Sequence, residues 1–200
     1  MNTAQRPPVD IVFEQDFIVV YRGLDSELCR TIIERFDRDD SKWRGKIVGS
    51  GGGVSYGGDI KNSWDLEILN QGAWRDIFQK INPPIQACMA EYISRSPILK
   101  SFELQGSGYK IQMYPKNKGY FQWHADAIGA KTGDRVAAMV LYLNDVEKGG
   151  ETEFFHQGIK VSPKAGYLVL FPPGWNYMHC AHMPESGDKY IIQTFIKAKD

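Results

Sequence analysis

The second half of this chain is written in short runs that only a β-sheet can use. After Ser101 come YKIQMY, VAAMVLYL, ETEFF, GIKVS, GYLVLF and KYIIQTFI, rich in β-branched and aromatic residues and separated by glycine, proline, asparagine or aspartate. Most are too short for a stable helix, and their close spacing favours antiparallel pairing into a sandwich or barrel of the jelly-roll kind.

The first half reads differently. Asp10 to Tyr21 reads as one opening strand, and Asp25 stands as the cap before LCRTIIERF, whose apolar residues recur at helical spacing. Lys46 to Asp59, with SGGGVSYGG at its centre, reads as a mobile loop because glycine loses much entropy on ordering and brings no side chain to pack. Between Leu66 and Ser96 the helical pattern returns. Pro83 and Pro84 are expected to divide it into two helices, since proline fits a first turn but breaks an interior. The fold class expected is α+β, mainly β: a double-stranded β-helix with N-terminal helices packed on one sheet. Residues 1–200 are expected to form a single domain, with support elements and a lid loop in 1–100 and the catalytic β-helix in 101–200.

Composition narrows the function. Lysine plus arginine equals aspartate plus glutamate, 24 each, with no basic run to follow a phosphate backbone, so nucleic acid is not an expected partner. Cys29, Cys88 and Cys180 are odd in number and have no CxxC spacing, which argues against a disulfide framework or zinc knuckle and for a reducing cytoplasm. No stretch approaches the roughly 18 apolar residues that a membrane span needs, and the N-terminus has no leader-like apolar core.

Chemistry begins at FQWHADA. In an extended segment, side chains two apart share a face, so His124 and Asp126 can converge on one ion. A third ligand must come from elsewhere, and the chain has only four histidines: His179 and His182 lie together in WNYMHCAHMPESGDKY, and His156 sits in the ETEFFHQG turn, where it reads as an exposed turn residue. Cys180 is expected to point away from His179, as strand neighbours do. Two imidazoles and one carboxylate on one face of an octahedron suit Fe(II) and leave three positions open. The single carboxylate reduces the metal charge and still permits a dianionic 2-oxoacid to bind. Lys189 would share a strand face with Ile191, Gln193 and Phe195, a cation in an apolar wall that requires either solvent or an anionic partner.

These segments resemble the prolyl 4-hydroxylase-like branch of the Fe(II)/2-oxoglutarate-dependent oxygenases. YPKNKGYFQWHAD is similar to that family's tyrosine, glycine-containing turn and HxD segment, and LYLND followed by GGETEFF to its next strand and turn. PKAGYLVLFPPGW and HCAHMPESGDKYII are similar to the segments that carry the distal histidine and the basic residue; together they cover about Gly106 to Lys197, in the family's order. The resemblance assigns iron to His124, Asp126 and His179, the distal carboxylate of 2-oxoglutarate to Lys189, and further co-substrate contacts to Tyr142 and Tyr114. His179 is preferred to His182 because it lies ten residues before Lys189 and four after Trp175. Phe121 stands where many relatives carry tyrosine, and Gln193 replaces a commoner small hydroxyl residue. SYGGDIKNSWDL loosely resembles the substrate lid, which places substrate between the 51–63 loop and the metal.

The resemblance implies hydroxylation of an unactivated C–H bond at the expense of O2 and 2-oxoglutarate, releasing succinate and CO2, with ascorbate supporting activity. The substrate it implies is an amino acid such as proline, a peptide or protein, or a small natural product. Two other readings remain open: a cupin-like metal enzyme that does not use 2-oxoglutarate, and a non-catalytic sensor that retains the pocket.

Overall fold

The chain enters the fold through a hairpin, β1 (Ile11–Gln15) and β2 (Ile18–Arg22), where the sequence reads as one strand. Asp16 and Phe17 both have positive φ, 49° and 61°, the backbone of a two-residue primed turn that asparagine–glycine usually signals. Tertiary bonds hold it there: the Tyr177 hydroxyl donates to the Asp16 carbonyl at 2.9 Å and the Tyr92 hydroxyl to the Phe17 carbonyl at 3.0 Å. The computed structural model describes residues 9–48, 54–56 and 58–199.

Helix α1 (Ser26–Arg38) starts as expected, with the Asp25 carboxylate accepting from the Leu28 N–H at 2.8 Å. Short strands β3 (Trp43–Arg44), β4 (Lys46–Val48), β5 (Val54–Tyr56), β6 (Lys61–Asn62) and β7 (Trp64–Ile68) follow. The expected 46–59 loop is thus corrected at its flanks, which pair as an antiparallel β4–β5 hairpin. The glycine centre, 49–53, and Gly57 lie outside the described residues. Within the segment that resembles the lid, Lys61–Asn62 and Trp64–Ile68 are sheet strands.

A second correction concerns Pro83 and Pro84. They do not separate two helices but lie inside one, α2 (Arg75–Ser94). The reason is the stripe Ile77, Ile81, Ile85, Cys88, Met89 and Tyr92, which runs unbroken at helical spacing across the prolines and is buried throughout. Each fully buried isoleucine contributes about 1.5–3 kcal/mol, and with Met89 and Tyr92 the stripe collectively offsets interior proline penalties of about 3 kcal/mol each.

The β half follows as expected: β8 (Leu104–Gly106), β9 (Tyr109–Tyr114), β10 (Tyr120–His124), β11 (Arg135–Tyr142), β12 (Thr152–Phe154), β13 (Ile159–Val161), β14 (Tyr167–Phe171), β15 (His179–Ala181) and β16 (Lys189–Ala198). The larger sheet has the order β1-β2-β14-β11-β16-β9-β7-β3, with β8 beside β16; the smaller has the order β13-β12-β15-β10-β6. Strand β11 shows why VAAMVLYL is almost continuously apolar. Ala137, Met139 and Leu141 face the helices with Ile32, Phe36 and Ile81, whereas Ala138, Val140 and Tyr142 face the other way, with Phe154, Val161 and Phe171. The larger sheet is therefore buried on both faces, under helices on one side and the smaller sheet on the other. This is the double-stranded β-helix, with its helices on one sheet, that the strand pattern predicts.

Candidate active site

His124 and His179 meet because β10 and β15 are antiparallel neighbours in the smaller sheet and these two residues are register partners, their rings 4.3 Å apart. A bulge in β10 sets the approach. Phe121 pairs with Ala181 and His124 with His179, so three steps on one strand match two on the other. Phe121 and His124 consequently share a face and stack at 3.6 Å, which gives the phenylalanine that departs from the family pattern a role against the imidazole. Asp126 lies beyond the strand. Its N–H and that of Ala127 both donate to the Pro173 carbonyl, at 3.0 and 2.9 Å, and Arg135 Nη1 donates to its carbonyl at 2.8 Å.

These bonds bring together the three residues singled out in the sequence. His124 Nε2 lies 3.6 Å from Asp126 Oδ1, and His179 Nε2 lies 3.5 Å from Asp126 Oδ2. Both imidazoles point a lone pair inward. Nδ1–H of His124 donates to the Gln122 carbonyl at 2.8 Å and that of His179 to the Tyr177 carbonyl at 2.9 Å; a carbonyl only accepts, so Nε2 is the unprotonated nitrogen in the neutral ring. Burial and the neighbouring His179 push the His124 pKa down to about 3, against the pull of Asp126. Asp126 Oδ2 is buried and accepts no hydrogen bond. Two neutral imidazole nitrogens with an orphaned carboxylate oxygen fit a divalent transition ion.

His182 belongs to a separate group. Its Nε2 meets Glu153 Oε2 at 2.5 Å and Cys180 Sγ at 3.7 Å, on a pattern that could itself hold an ion. His156 is an exposed turn residue that packs edge-on against Phe155 and Trp175.

Lys189 opens β16 opposite Tyr114. It is 1% exposed, and its ammonium has no hydrogen-bond partner, lying only over the rings of Tyr142 and Tyr114 at 5.4 and 5.5 Å. Burial lowers its pKa to about 7, with Glu151 opposing. With His124, His179 and Thr152 it lines a narrow inner cavity that adjoins an outer pocket of about 340 Å³; Phe121, His124 and Gln193 border both.

Tyr114 itself borders the inner cavity, and both tyrosines bond to neighbours that sequence reasoning did not single out. The Tyr142 hydroxyl donates to Thr152 Oγ1 at 2.7 Å, and Thr152 rather than Tyr142 borders the cavity. The Tyr114 hydroxyl donates to Gln112 Oε1 at 2.9 Å, and Gln112 Nε2 donates to Gln193 Oε1 at 2.9 Å. The relay orients both amides, and Gln193 borders both cavities. No local sequence signal marks Gln112 or Thr152; only the strand register exposes them.

Residues 109–197 match the family described as the 2OG-Fe(II) oxygenase superfamily. The matched segment contains His124, Asp126, His179 and Lys189. The chain is 30% identical over 124 residues to a PKHD-type hydroxylase of Synechococcus sp. (strain CC9902), covering 58% of this chain and 55% of that protein. It is 27% identical over 122 residues to a probable prolyl 4-hydroxylase 9 of Arabidopsis thaliana, covering 48% and 42%. The chain thus spans about half the length of these curated relatives. In fold, the chain superposes on a viral collagen prolyl hydroxylase from Paramecium Bursaria Chlorella virus-1 with a TM-score of 0.67 at 18% identity, covering 94% of this chain and 99% of that one. No helix among the described residues is long and apolar enough to cross a membrane.

Proposed function

We propose that this chain is an Fe(II)- and 2-oxoglutarate-dependent hydroxylase, with iron held by His124, Asp126 and His179 and the distal carboxylate of 2-oxoglutarate by Lys189. The observation that carries the reading is the orphaned ammonium of Lys189, which borders the same inner cavity as both imidazoles. A buried cation with no partner is costly, and a dicarboxylate that reaches from the metal would supply the missing anion. A cupin-like enzyme that did not use 2-oxoglutarate would have no use for it.

Iron and 2-oxoglutarate, when bound, would activate O2 as the oxidant, one oxygen atom going into the C–H bond as hydroxyl and the other into succinate as 2-oxoglutarate loses CO2. The chain's own residues orient and exclude. The Gln122 and Tyr177 carbonyls keep both imidazoles in the ligating tautomer, and Pro173 and Arg135 hold the Asp126 backbone. Thr152 accepts from Tyr142, so its own proton is free for a carboxylate beside Lys189. Tyr114 acts through Gln112 and Gln193 at the cavity junction. Residues 101–200 form the catalytic half in this reading and 1–100 its support, within a single domain. Ascorbate would keep the iron reduced, and the free cysteines Cys29, Cys88 and Cys180 fit a reducing cytoplasm. The substrate is an amino acid, peptide or small natural product that enters the outer pocket.

Purified protein with Fe(II), 2-oxoglutarate and ascorbate is expected to release succinate, and His124→Ala or Asp126→Ala to abolish the release. Undiminished succinate in both variants would discard the assignment.

A further inference from the structure

The outer pocket carries more positive charge than the metal site can use. Asp65 is wholly buried, and its one carboxylate serves two ammoniums: Lys61 at 3.1 Å and Lys110 at 3.7 Å, with the Ser63 hydroxyl donating to it at 2.7 Å. Both lysines line the pocket. Arg135 lines it as well, with its guanidinium 3.7 Å from the Phe195 ring centroid and a buried Nε that has no partner. Asp126 is the only acid among the described residues lining the pocket, and the metal claims it.

A count of formal charges shows where this excess belongs, and it rests on the function proposed above. A divalent ion, the Asp126 carboxylate, dianionic 2-oxoglutarate and the Lys189 ammonium sum to neutrality. The Lys61–Lys110–Asp65 group then keeps one positive charge in excess, and Arg135, whose neighbour Asp134 is paired with Lys197, adds another, both facing a pocket whose remaining wall includes Ile60, Phe121, Trp123 and Phe195. A neutral peptidyl residue would leave both charges without a counterpart. An anion on an apolar skeleton would satisfy them, and fixed cations at a partly enclosed surface also draw such a ligand in.

We propose that the substrate of this oxygenase is a carboxylic acid with an apolar carbon skeleton, its carboxylate held by Lys110 and Arg135 with Lys61 behind them. The carboxylate takes the cationic wall, and the skeleton lies along Phe121 and Trp123 toward the metal.

The test is binding to the Fe(II)–2-oxoglutarate protein kept free of oxygen, read by titration calorimetry. The probes are N-acetyl amino acids with leucine, valine, phenylalanine and proline side chains, each paired with its uncharged amide, and phenyl phosphate. At least one acid is expected to bind about tenfold more tightly than its amide, with the preference shrinking as salt rises. Lys110→Gln and Arg135→Gln should each reduce the preference severalfold; Lys110, at about one-third exposed, is the replacement less demanding on folding. Equal affinity for every acid and amide, no binding by any acid, or a preference untouched by both variants would overturn the proposal. Tighter binding of phenyl phosphate than of any acid would overturn the carboxylate assignment. A parallel titration with 2-oxoglutarate separates the two levels: if it binds and the acids show no preference, only the substrate class fails. If it does not bind, the functional reading fails and takes the charge count with it.

Discussion

The Lys189 ammonium sits 5.4 Å from the centre of the Tyr142 ring, and no oxygen reaches it. The ring face offers a weak attraction where a carboxylate would offer a strong one. Without ligand, this lysine therefore weakens the fold. Lys189→Met is expected to stabilise the unliganded protein by about 1–4 kcal/mol, the range seen when buried charges give way to packed apolar groups. The same change should abolish 2-oxoglutarate binding. Thermal melts with and without 2-oxoglutarate check both halves, and a destabilised variant that still responds to the ligand would contradict the role given to Lys189.

Protons should accompany that ligand. The folded pKa of Lys189, about 7, lies below the roughly 10.4 of an exposed lysine, so between these values the unfolded chain binds more protons. Its penalty to the unliganded fold is accordingly full below about pH 7 and fades as pH rises toward about 10.4. A bound carboxylate demands the charged form. Near pH 8, 2-oxoglutarate binding is expected to take up almost one proton, and near pH 6 almost none. Calorimetry in buffers of different ionisation enthalpy measures this directly, and zero uptake at the higher pH would mean that Lys189 does not meet the anion.

The two histidines of the HCAH segment should behave differently. His179 faces His124 and Asp126, whereas His182 bonds to Glu153. His179→Ala is expected to lower affinity for Co(II), used as an optical stand-in for Fe(II), by at least about 100-fold through loss of a ligand. His182→Ala should leave binding at the His124–Asp126 site within a few-fold. A reversed order would transfer the third ligand to His182.

The relay from Tyr114 through Gln112 to Gln193 can be tested by cutting its middle. Gln112→Leu strands a buried tyrosine hydroxyl and should cost about 1–3 kcal/mol. Adding Tyr114→Phe removes the stranded group, so the double variant should lose less than the sum of the singles. Denaturant unfolding of all four proteins gives the coupling energy, and strict additivity would show that the relay carries none.

Much of this architecture is written locally. The alternation that sends Ala137, Met139 and Leu141 to one face of β11 and Ala138, Val140 and Tyr142 to the other is a property of consecutive residues, as is the Asp25 cap. The spacing of His124 and Asp126, and of His179 and Lys189, likewise stands in the sequence and in its family resemblance. What local rules misjudged are the places where distant residues outvote them. Pro83 and Pro84 stay helical because α2 has a continuous face to bury, and Asp16–Phe17 turns because Tyr177 and Tyr92 hold its carbonyls. The β10 bulge, the Thr152 and Gln112 contacts and the sharing of Asp65 by Lys61 and Lys110 exist only once strands far apart in the chain are in register. Propensity and periodicity act within a few residues. Which cation lacks an anion, and which hydroxyl faces a cavity, depends on burial, and burial is a property of the whole fold.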